Sequence, residues 1–335
     1  MSEQVLYAQN SAWSDVIPIP QFDEGAKPVA PILYSEEYRD ATDYFRGVVR
    51  AGEKSQRVLD LTEHLIRLNP GHYSVWQYRY DTLLAIKADL REELRRMDEL
   101  ATTHMKTYQV WHHRQLLIEQ LHEPDSELDF IKTILDIDSK NYHTWGYRQW
   151  ILAHFNREDL WIAEIRYVEQ MLKKDLRNNS AWNHRFFVLW SNGRRESGEI
   201  QDEFLRTEIQ FVKDNISLAP NNDAAWNYYR GVLQHTNQPF STQLNFVKLY
   251  AEERDSDSDT DSEVVLDLDN PSPGPRAVLP CAIAMEFLAE IYEEKRTPED
   301  IDKAISLYHK LTILDKIRKS YWEWRTAEAK RLLTE

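Results

Sequence analysis

The chain has little of what disulfide-bonded or membrane proteins are built from. It contains one cysteine in 335 residues, Cys281, which excludes an internal disulfide and fits a reducing compartment. No stretch approaches the roughly 18 apolar residues of a spanning helix, and the amino terminus lacks the basic start and apolar core of a secretory signal. The sequence therefore predicts a cytoplasmic protein without stable membrane insertion.

Positive charge is also in short supply. Lysine and arginine number 41 against 56 acidic residues, so the net charge is -15 at pH 7. Nucleic acids and anionic membranes are bound through basic faces that displace counterions. We therefore expect no nucleic-acid partner, and any anion that this protein binds must be met by a local group of side chains.

Motifs of self-contained catalytic sites are absent as well. The sequence has no Gly-rich phosphate loop, no Gly-x-Ser-x-Gly and no His-Glu-x-x-His. The adjacent pair His112 and His113 would point about 100° apart on a helix and cannot grip one metal together. The sequence predicts no metal bound by this chain alone.

Tryptophan, by contrast, is abundant and periodic. Six of eleven tryptophans stand in segments such as Tyr73-Ser-Val-Trp-Gln-Tyr-Arg79, and the first five are 35, 34, 37 and 44 residues apart. Such a period is typical of stacked helical hairpins, so we predict an all-α right-handed superhelix, or solenoid. The six are Trp76, Trp111, Trp145, Trp182, Trp226 and Trp322.

Each repeat predicts two helices joined by a polar corner. Eleven residues before the tryptophan the side chain is apolar in five repeats, with Asn215 the exception, as a shared helix contact requires. The arginine three residues after the tryptophan lies on the same helical face, where it can stack on the indole or bond carbonyls at the end of an adjacent helix. The predicted first helices cover residues 56–68, 90–102, 126–137, 159–174, 202–218 and 298–314.

Two segments fall outside the repeats. Residues 1–34 are proline-rich and predict an extended or disordered leader, in which Trp13 could still dock on a partner. The array, 35–335, begins with Ser35 as a helix cap and is interrupted by an acidic insert, 252–277, expected to be disordered. Candidate phosphorylation sites in the insert are Ser256, Ser258 and Thr260, each with an acid three residues later.

Polar residues gather at the corners that precede the second helices. In a superhelix of hairpins these corners share one edge, where free N–H groups and positive dipole ends favour anions. Ordinary solvated caps are the alternative interpretation. The residues concerned include Tyr73, Lys106, Tyr108, Gln109, Lys140, Asn141, Tyr142 and His143.

These segments carry a family resemblance. Lys106-Thr-Tyr-Gln-Val-Trp-His-His-Arg114, Lys140-Asn-Tyr-His-Thr-Trp and Asn178-Asn-Ser-Ala-Trp-Asn closely resemble the alpha subunit of protein farnesyltransferase, which is shared with protein geranylgeranyltransferase type I. The resemblance covers about residues 35–250 and 280–330. It implies a crescent-shaped array of hairpins around a beta subunit that holds zinc, none being bound by this chain, with magnesium possible alongside farnesyl diphosphate. It also implies CaaX-box protein substrates and transfer from a prenyl diphosphate to a cysteine thiol.

The resemblance also implies roles for single residues. Lys106 resembles the lysine that neutralises the diphosphate leaving group, and Tyr108 the tyrosine beside it. Gln109 resembles the glutamine that receives the terminal carboxylate of the protein substrate. Thr107 stands where the family often has asparagine, so the sequence departs from the family pattern at this backbone-capping position. The remaining cleft residues, with substrate-binding roles, are Tyr73, Asn141, Tyr142 and His143.

Two alternatives use the same repeat pattern. The Rab geranylgeranyltransferase alpha subunit has similar repeats, but Gln109 after Tyr108 resembles the CaaX enzymes, since Rab-type chains tend to carry glycine there. A noncatalytic tetratricopeptide-like scaffold has a similar period, but it needs small residues at helix crossings where this array is aromatic.

Overall fold

The chain forms helical hairpins in two compact units, residues 1–155 and 156–335. A computed structural model describes residues 6–22, 25, 29–190, 202–253 and 267–333. These residues contain no β-strand. Their α-helices are α1 (Glu36–Ala51), α2 (Gln56–Leu68), α3 (Tyr73–Ala85), α4 (Leu90–Thr103), α5 (Tyr108–Leu121), α6 (Glu127–Ile137), α7 (Tyr142–Phe155), α8 (Glu158–Lys174), α9 (Asn179–Trp190), α10 (Asp202–Leu218), α11 (Asp223–His235), α12 (Leu244–Ala251), α13 (Ala282–Lys295), α14 (Pro298–Leu314) and α15 (Lys319–Leu332).

The predicted hairpins are confirmed, and most first helices agree with the expected ranges to within one residue. Ser35 caps α1, because its side chain accepts a hydrogen bond from the Tyr38 amide. The apolar position eleven residues before each tryptophan is buried in the five repeats that have it: Leu65, Leu100, Ile134, Met171 and Leu311. The sequence pattern did not predict α12, which is only eight residues long.

The repeated tryptophans are the centres of the hairpins. All six are at most 5% exposed. In the first five, the indole N–H donates to the carbonyl six residues earlier, as Trp76 does to Pro70 and Trp111 to Met105, both at 2.8 Å. The tryptophan side chain therefore fills the core and also stabilises, through this hydrogen bond, the corner that precedes its own helix.

A buried glutamate connects consecutive hairpins. Arg79 of α3 donates from Nε and Nη2 to the two carboxylate oxygens of Glu93 in α4, both at 2.7 Å, and His113 Nε2 of α5 lies 3.0 Å from Glu93 Oε1. All three residues are at most 3% exposed. We call this trio a glutamate bridge. It recurs as Arg114, Glu127 and Tyr147, and as Arg185, Glu208 and Tyr228.

The glutamate bridges correct the role expected for the arginines. Arg79 does bond a carbonyl, that of Leu59 at 2.7 Å, as predicted. Its charge, however, is matched by a carboxylate of the next hairpin, and Arg114 stacks on Phe130 rather than on an indole. A guanidinium that is almost fully buried needs an anion nearby, because an unpaired charge is costly to remove from water.

Acid is expected to weaken the first glutamate bridge. Burial by itself raises the pKa of the Glu93 carboxyl, but hydrogen bonds from His113 and Arg79 outweigh it and bring the pKa to about 2, below the ordinary value of 4.5. A carboxyl whose folded-state pKa is lowered contributes stability above its unfolded-state pKa and loses it as pH falls towards the folded-state value. The free energy of unfolding should therefore decrease from about pH 4.5 downwards.

The variant Glu93→Gln removes this titration. In urea unfolding at a series of pH values, the stability difference from wild type should be largest above about pH 5 and should shrink below it, down to the lowest pH at which the chain stays folded. Glu99→Gln is the matched control on the same helix, because the Glu99 side chain is 62% exposed. A stability difference between Glu93→Gln and wild type that does not change with pH would contradict the lowered pKa of Glu93.

Part of the leader is docked on the first two helices. Trp13 is buried and its ring lies edge-on to Tyr44 of α1, with 6.1 Å between ring centroids. Arg57 of α2 forms a bidentate ion pair with Asp15. Gly47 permits the close approach, since a Cβ there would lie 2.4 Å from the Ile17 carbonyl. Within the segment expected to be an extended or disordered leader, residues 7–19 therefore contact α1 and α2 of the same chain.

The second half of the expected insert has defined contacts. Lys213 of α10 donates to the Asp269 carbonyl and to Asn270 Oδ1, both at 3.1 Å. Tyr250 of α12 donates to the Pro271 carbonyl at 2.6 Å. Residues 269–271, which lie in the segment expected to be disordered, therefore form hydrogen bonds with α10 and α12. Ser256, Ser258 and Thr260 lie outside the described residues.

Candidate functional site

The first unit has a groove where three second helices begin. Tyr73, Tyr108 and Tyr142 are the first residues of α3, α5 and α7 and line one groove of about 500 Å³ together with Gln109 and His143. A second groove of about 320 Å³ between α3 and α5 shares Tyr73 and Gln109. Five of the seven predicted site residues are thus brought together.

The tyrosines present their rings to the groove instead of the core. Tyr73, Tyr108 and Tyr142 are 72%, 66% and 76% exposed, whereas the tryptophans three residues later are buried. His143 lies between two of them: its ring is edge-on to Tyr108 at 4.2 Å and to Tyr142 at 5.6 Å between centroids. Phenolic hydroxyls, an imidazole and an amide are therefore available for a polar ligand.

His143 acts in this groove as a neutral group. Partial burial lowers the pKa of its imidazole below the ordinary 6.5. At pH 7 the ring therefore both donates and accepts hydrogen bonds. A full positive charge at this edge is supplied by Lys106.

Lys106 lies in the corner that precedes α5, two residues before Tyr108. Its side chain is 79% exposed, and its ammonium nitrogen is 3.8 Å from Asp138 Oδ2 at the end of α6. This ion pair is loose and accessible to water. The lysine is thus free to move to an incoming anion at little cost, since exposed pairs contribute about 0–1 kcal/mol.

Asn141 takes a different place from the other predicted residues. It is 3% exposed, its Oδ1 accepts from the Thr144 amide and its Nδ2 donates to the Met105 carbonyl at 3.3 Å. Its amide thus caps α7 and ties two corners together. Thr107, where the sequence departs from the family pattern, precedes α5 without a side-chain capping bond.

Several groove residues were missed from sequence. His112, Gln115, Gly146 and Trp150 line the groove as well. They follow from helical geometry, because positions 108, 112 and 115, and likewise 142, 146 and 150, share one face of their helices. The helical face that carries each exposed tyrosine therefore predicts these further groove residues.

The described residues do not suit a metal ion. No three His, Cys, Asp or Glu side chains come together among them as potential ligands. Cys281 is buried, and burial raises the pKa of its thiol to about 11, which disfavours the thiolate that a metal requires. No helix in the described part of the chain has both the length and the apolar character to cross a membrane.

The repeats match a known family model. The protein prenyltransferase alpha subunit repeat matches residues 55–86, 90–121, 124–155, 161–191 and 205–236, which are the hairpins from α2 to α11. A relative from Dictyostelium discoideum is 32% identical over 96% of this chain and 93% of its own length. The chain therefore belongs to the protein prenyltransferase alpha-subunit family.

The relatives also distinguish branches of the family. The Dictyostelium discoideum protein is named protein farnesyltransferase/geranylgeranyltransferase type-1 subunit alpha. A solved structure of Candida albicans protein geranylgeranyltransferase-I complexed with GGPP is similar, with a TM-score of 0.78 and 28% identity over 94% of this chain and 98% of that one. The geranylgeranyl transferase type-2 subunit alpha of Bos taurus is 26% identical over 58% of this chain but only 37% of its own length.

Proposed function

We propose that this chain is the alpha subunit of a heterodimeric CaaX protein prenyltransferase. The enzyme transfers a farnesyl or geranylgeranyl group from a prenyl diphosphate to a cysteine thiol near the carboxyl end of a protein, and it works in the cytoplasm. The near full-length similarity to type-1 alpha subunits supports this proposal. So does the similarity to a geranylgeranyltransferase-I structure.

One observation supports the proposal more than any other. The starts of α3, α5 and α7 present exposed tyrosines to one groove, and the exposed Lys106 stands in the corner before α5. A cation and several hydrogen-bond donors beside helix amino termini suit an anionic group such as a diphosphate. Ordinary solvated caps do not require three exposed aromatic rings at one groove, two of them in contact with a neutral histidine.

The reaction needs charge stabilisation at the leaving group. The cysteine thiolate attacks C1 of the prenyl chain, the S–C1 bond forms, the C1–O bond breaks and its electron pair stays on the departing diphosphate. Lys106 opposes the growing negative charge on that oxygen, and the Tyr108 hydroxyl donates to the same group. Zinc, held by the beta subunit, would keep the thiol deprotonated, and magnesium is compatible with farnesyl diphosphate.

The other groove residues bind substrate in this proposal. Gln109 donates from its side-chain amide to the terminal carboxylate of the CaaX protein. Tyr73, Tyr142 and His143 contact the bound substrates along the groove. Asn141 contributes by holding the corner between α6 and α7 in place, since its amide is already used within the chain.

Co-expression with a candidate beta subunit tests the proposal. We expect a zinc-containing heterodimer that prenylates a CaaX peptide, while each subunit alone is inactive. Matched peptides test the substrate class. A pentapeptide with a CaaX ending should be prenylated, and a peptide without that ending should not. Prenyl transfer by this chain without a partner, or a stable heterodimer that modifies only Rab-type substrates, would contradict it.

A further inference from the structure

The carboxylate of Asp138 has two separate contacts. Its Oδ1 accepts a hydrogen bond from the Lys140 backbone amide at 3.2 Å, which closes a turn at the end of α6. Its Oδ2 faces the Lys106 ammonium nitrogen at 3.8 Å. The first contact lies within one corner, and the second connects it to the corner of the preceding hairpin.

The turn at this corner does not need a charge. The equivalent turn after α2 is made by an amide, with Asn69 Oδ1 accepting from the Gly71 amide at 3.1 Å. After α8 it is made by Asp175, whose Oδ1 accepts from the Arg177 amide at 2.9 Å. Because asparagine closes this turn as well as aspartate, the turn leaves the negative charge of Asp138 available for its contact with Lys106.

We propose that Asp138 is a positioning residue for Lys106, an inference that rests on the proposed function. The lysine has a flexible four-carbon stem and is 79% exposed, so its ammonium group would otherwise occupy many positions. The carboxylate restricts it to the edge between the two corners. At 3.8 Å the pair is loose enough for the ammonium to turn to a diphosphate without losing a strong bond.

The variant Asp138→Asn isolates this effect in the heterodimer. It keeps the oxygen that the Lys140 amide needs and removes the charge that faces Lys106. We expect the single-turnover rate of prenyl transfer to fall about threefold, while the affinity for prenyl diphosphate is unchanged or higher because a nearby anion has been removed. The thermal midpoint should stay at the wild-type value.

The matched control is Asp175→Asn, the same substitution in a corner whose aspartate forms no ion pair within the described residues. It should leave both the rate and the affinity unchanged. A purely structural role for Asp138 would instead lower the thermal midpoint and both kinetic parameters. The same threefold loss in both variants would overturn the inference.

A double-mutant cycle provides the decisive measurement. In the Lys106→Ala background, Asp138→Asn should have no effect on the single-turnover rate, because the group that it positions is gone. A threefold loss that persists in that background would overturn this inference alone. If Lys106→Ala itself left prenyl transfer unchanged, the proposed role of Lys106 and this inference would both be wrong.

Discussion

Replacing Lys106 by alanine should slow the chemical step of prenyl transfer by roughly a hundredfold or more. The substitution removes the full positive charge that stands two residues before Tyr108 at the groove. Charge builds on the leaving diphosphate only as the C1–O bond breaks, so this contact becomes stronger in the transition state than in the bound substrate. The affinity for prenyl diphosphate should therefore change much less than the rate.

Single-turnover kinetics and equilibrium binding of the prenyl diphosphate separate these quantities in the heterodimer. Lys140→Ala is a matched control, because Lys140 is exposed and stands five residues before Trp145 just as Lys106 stands five before Trp111. It should alter the rate far less. Equal losses in rate and affinity for Lys106→Ala would mean that the lysine only binds substrate.

The second large effect is expected on stability. Glu127→Ala should lower the free energy of unfolding by about 3–5 kcal/mol. Glu127 is 1% exposed. Its carboxylate accepts two hydrogen bonds of 2.8 Å from Arg114 and one of 2.7 Å from the Tyr147 hydroxyl. Its removal leaves the buried guanidinium facing a cavity, and among the described residues Asp98, which is half exposed, is the carboxylate that still pairs with it.

Urea unfolding measures this loss. Glu123→Ala is the control nearby in sequence, because Glu123 pairs with Arg91 on the exposed surface and its loss should have no measurable effect. The double variant Arg114→Met/Glu127→Met should lose less free energy of unfolding than the losses of Arg114→Met and Glu127→Met added together. In the double variant no unpaired charge remains buried. Equal stability of Glu127→Ala and Glu123→Ala would contradict a structural role for the glutamate bridge.

The sequence predicts the hairpins well because two independent signals agree. A tryptophan period near 35 residues marks the units, and corner residues such as Asn69 and Asn141 mark where one helix stops and the next begins. Helix starts at Tyr73, Tyr108 and Tyr142 then follow directly. Short elements without a period, such as α12, have no such signal.

The glutamate bridges show what was readable in the sequence but missed. Glu93, Glu127 and Glu208 each stand 18 residues before a repeated tryptophan, as constant a spacing as that of the apolar core positions. The regular arginine does not by itself indicate a buried partner, because charged residues on a helix normally face water. Only the packing reveals that both members of each pair are buried.

For the candidate site too, some features are predictable from the sequence and others depend on packing. The repeat, the hairpins and the polar residues at the corners are predictable without a structure, because they depend on helical periodicity and on turn chemistry within a few residues. Packing alone shows which corner residues face a common groove, that Asn141 is buried instead, and that Asp138 lies beside Lys106. Those outcomes depend on how successive hairpins pack, which brings together residues about 30 apart in the chain through many weak contacts that no local pattern records.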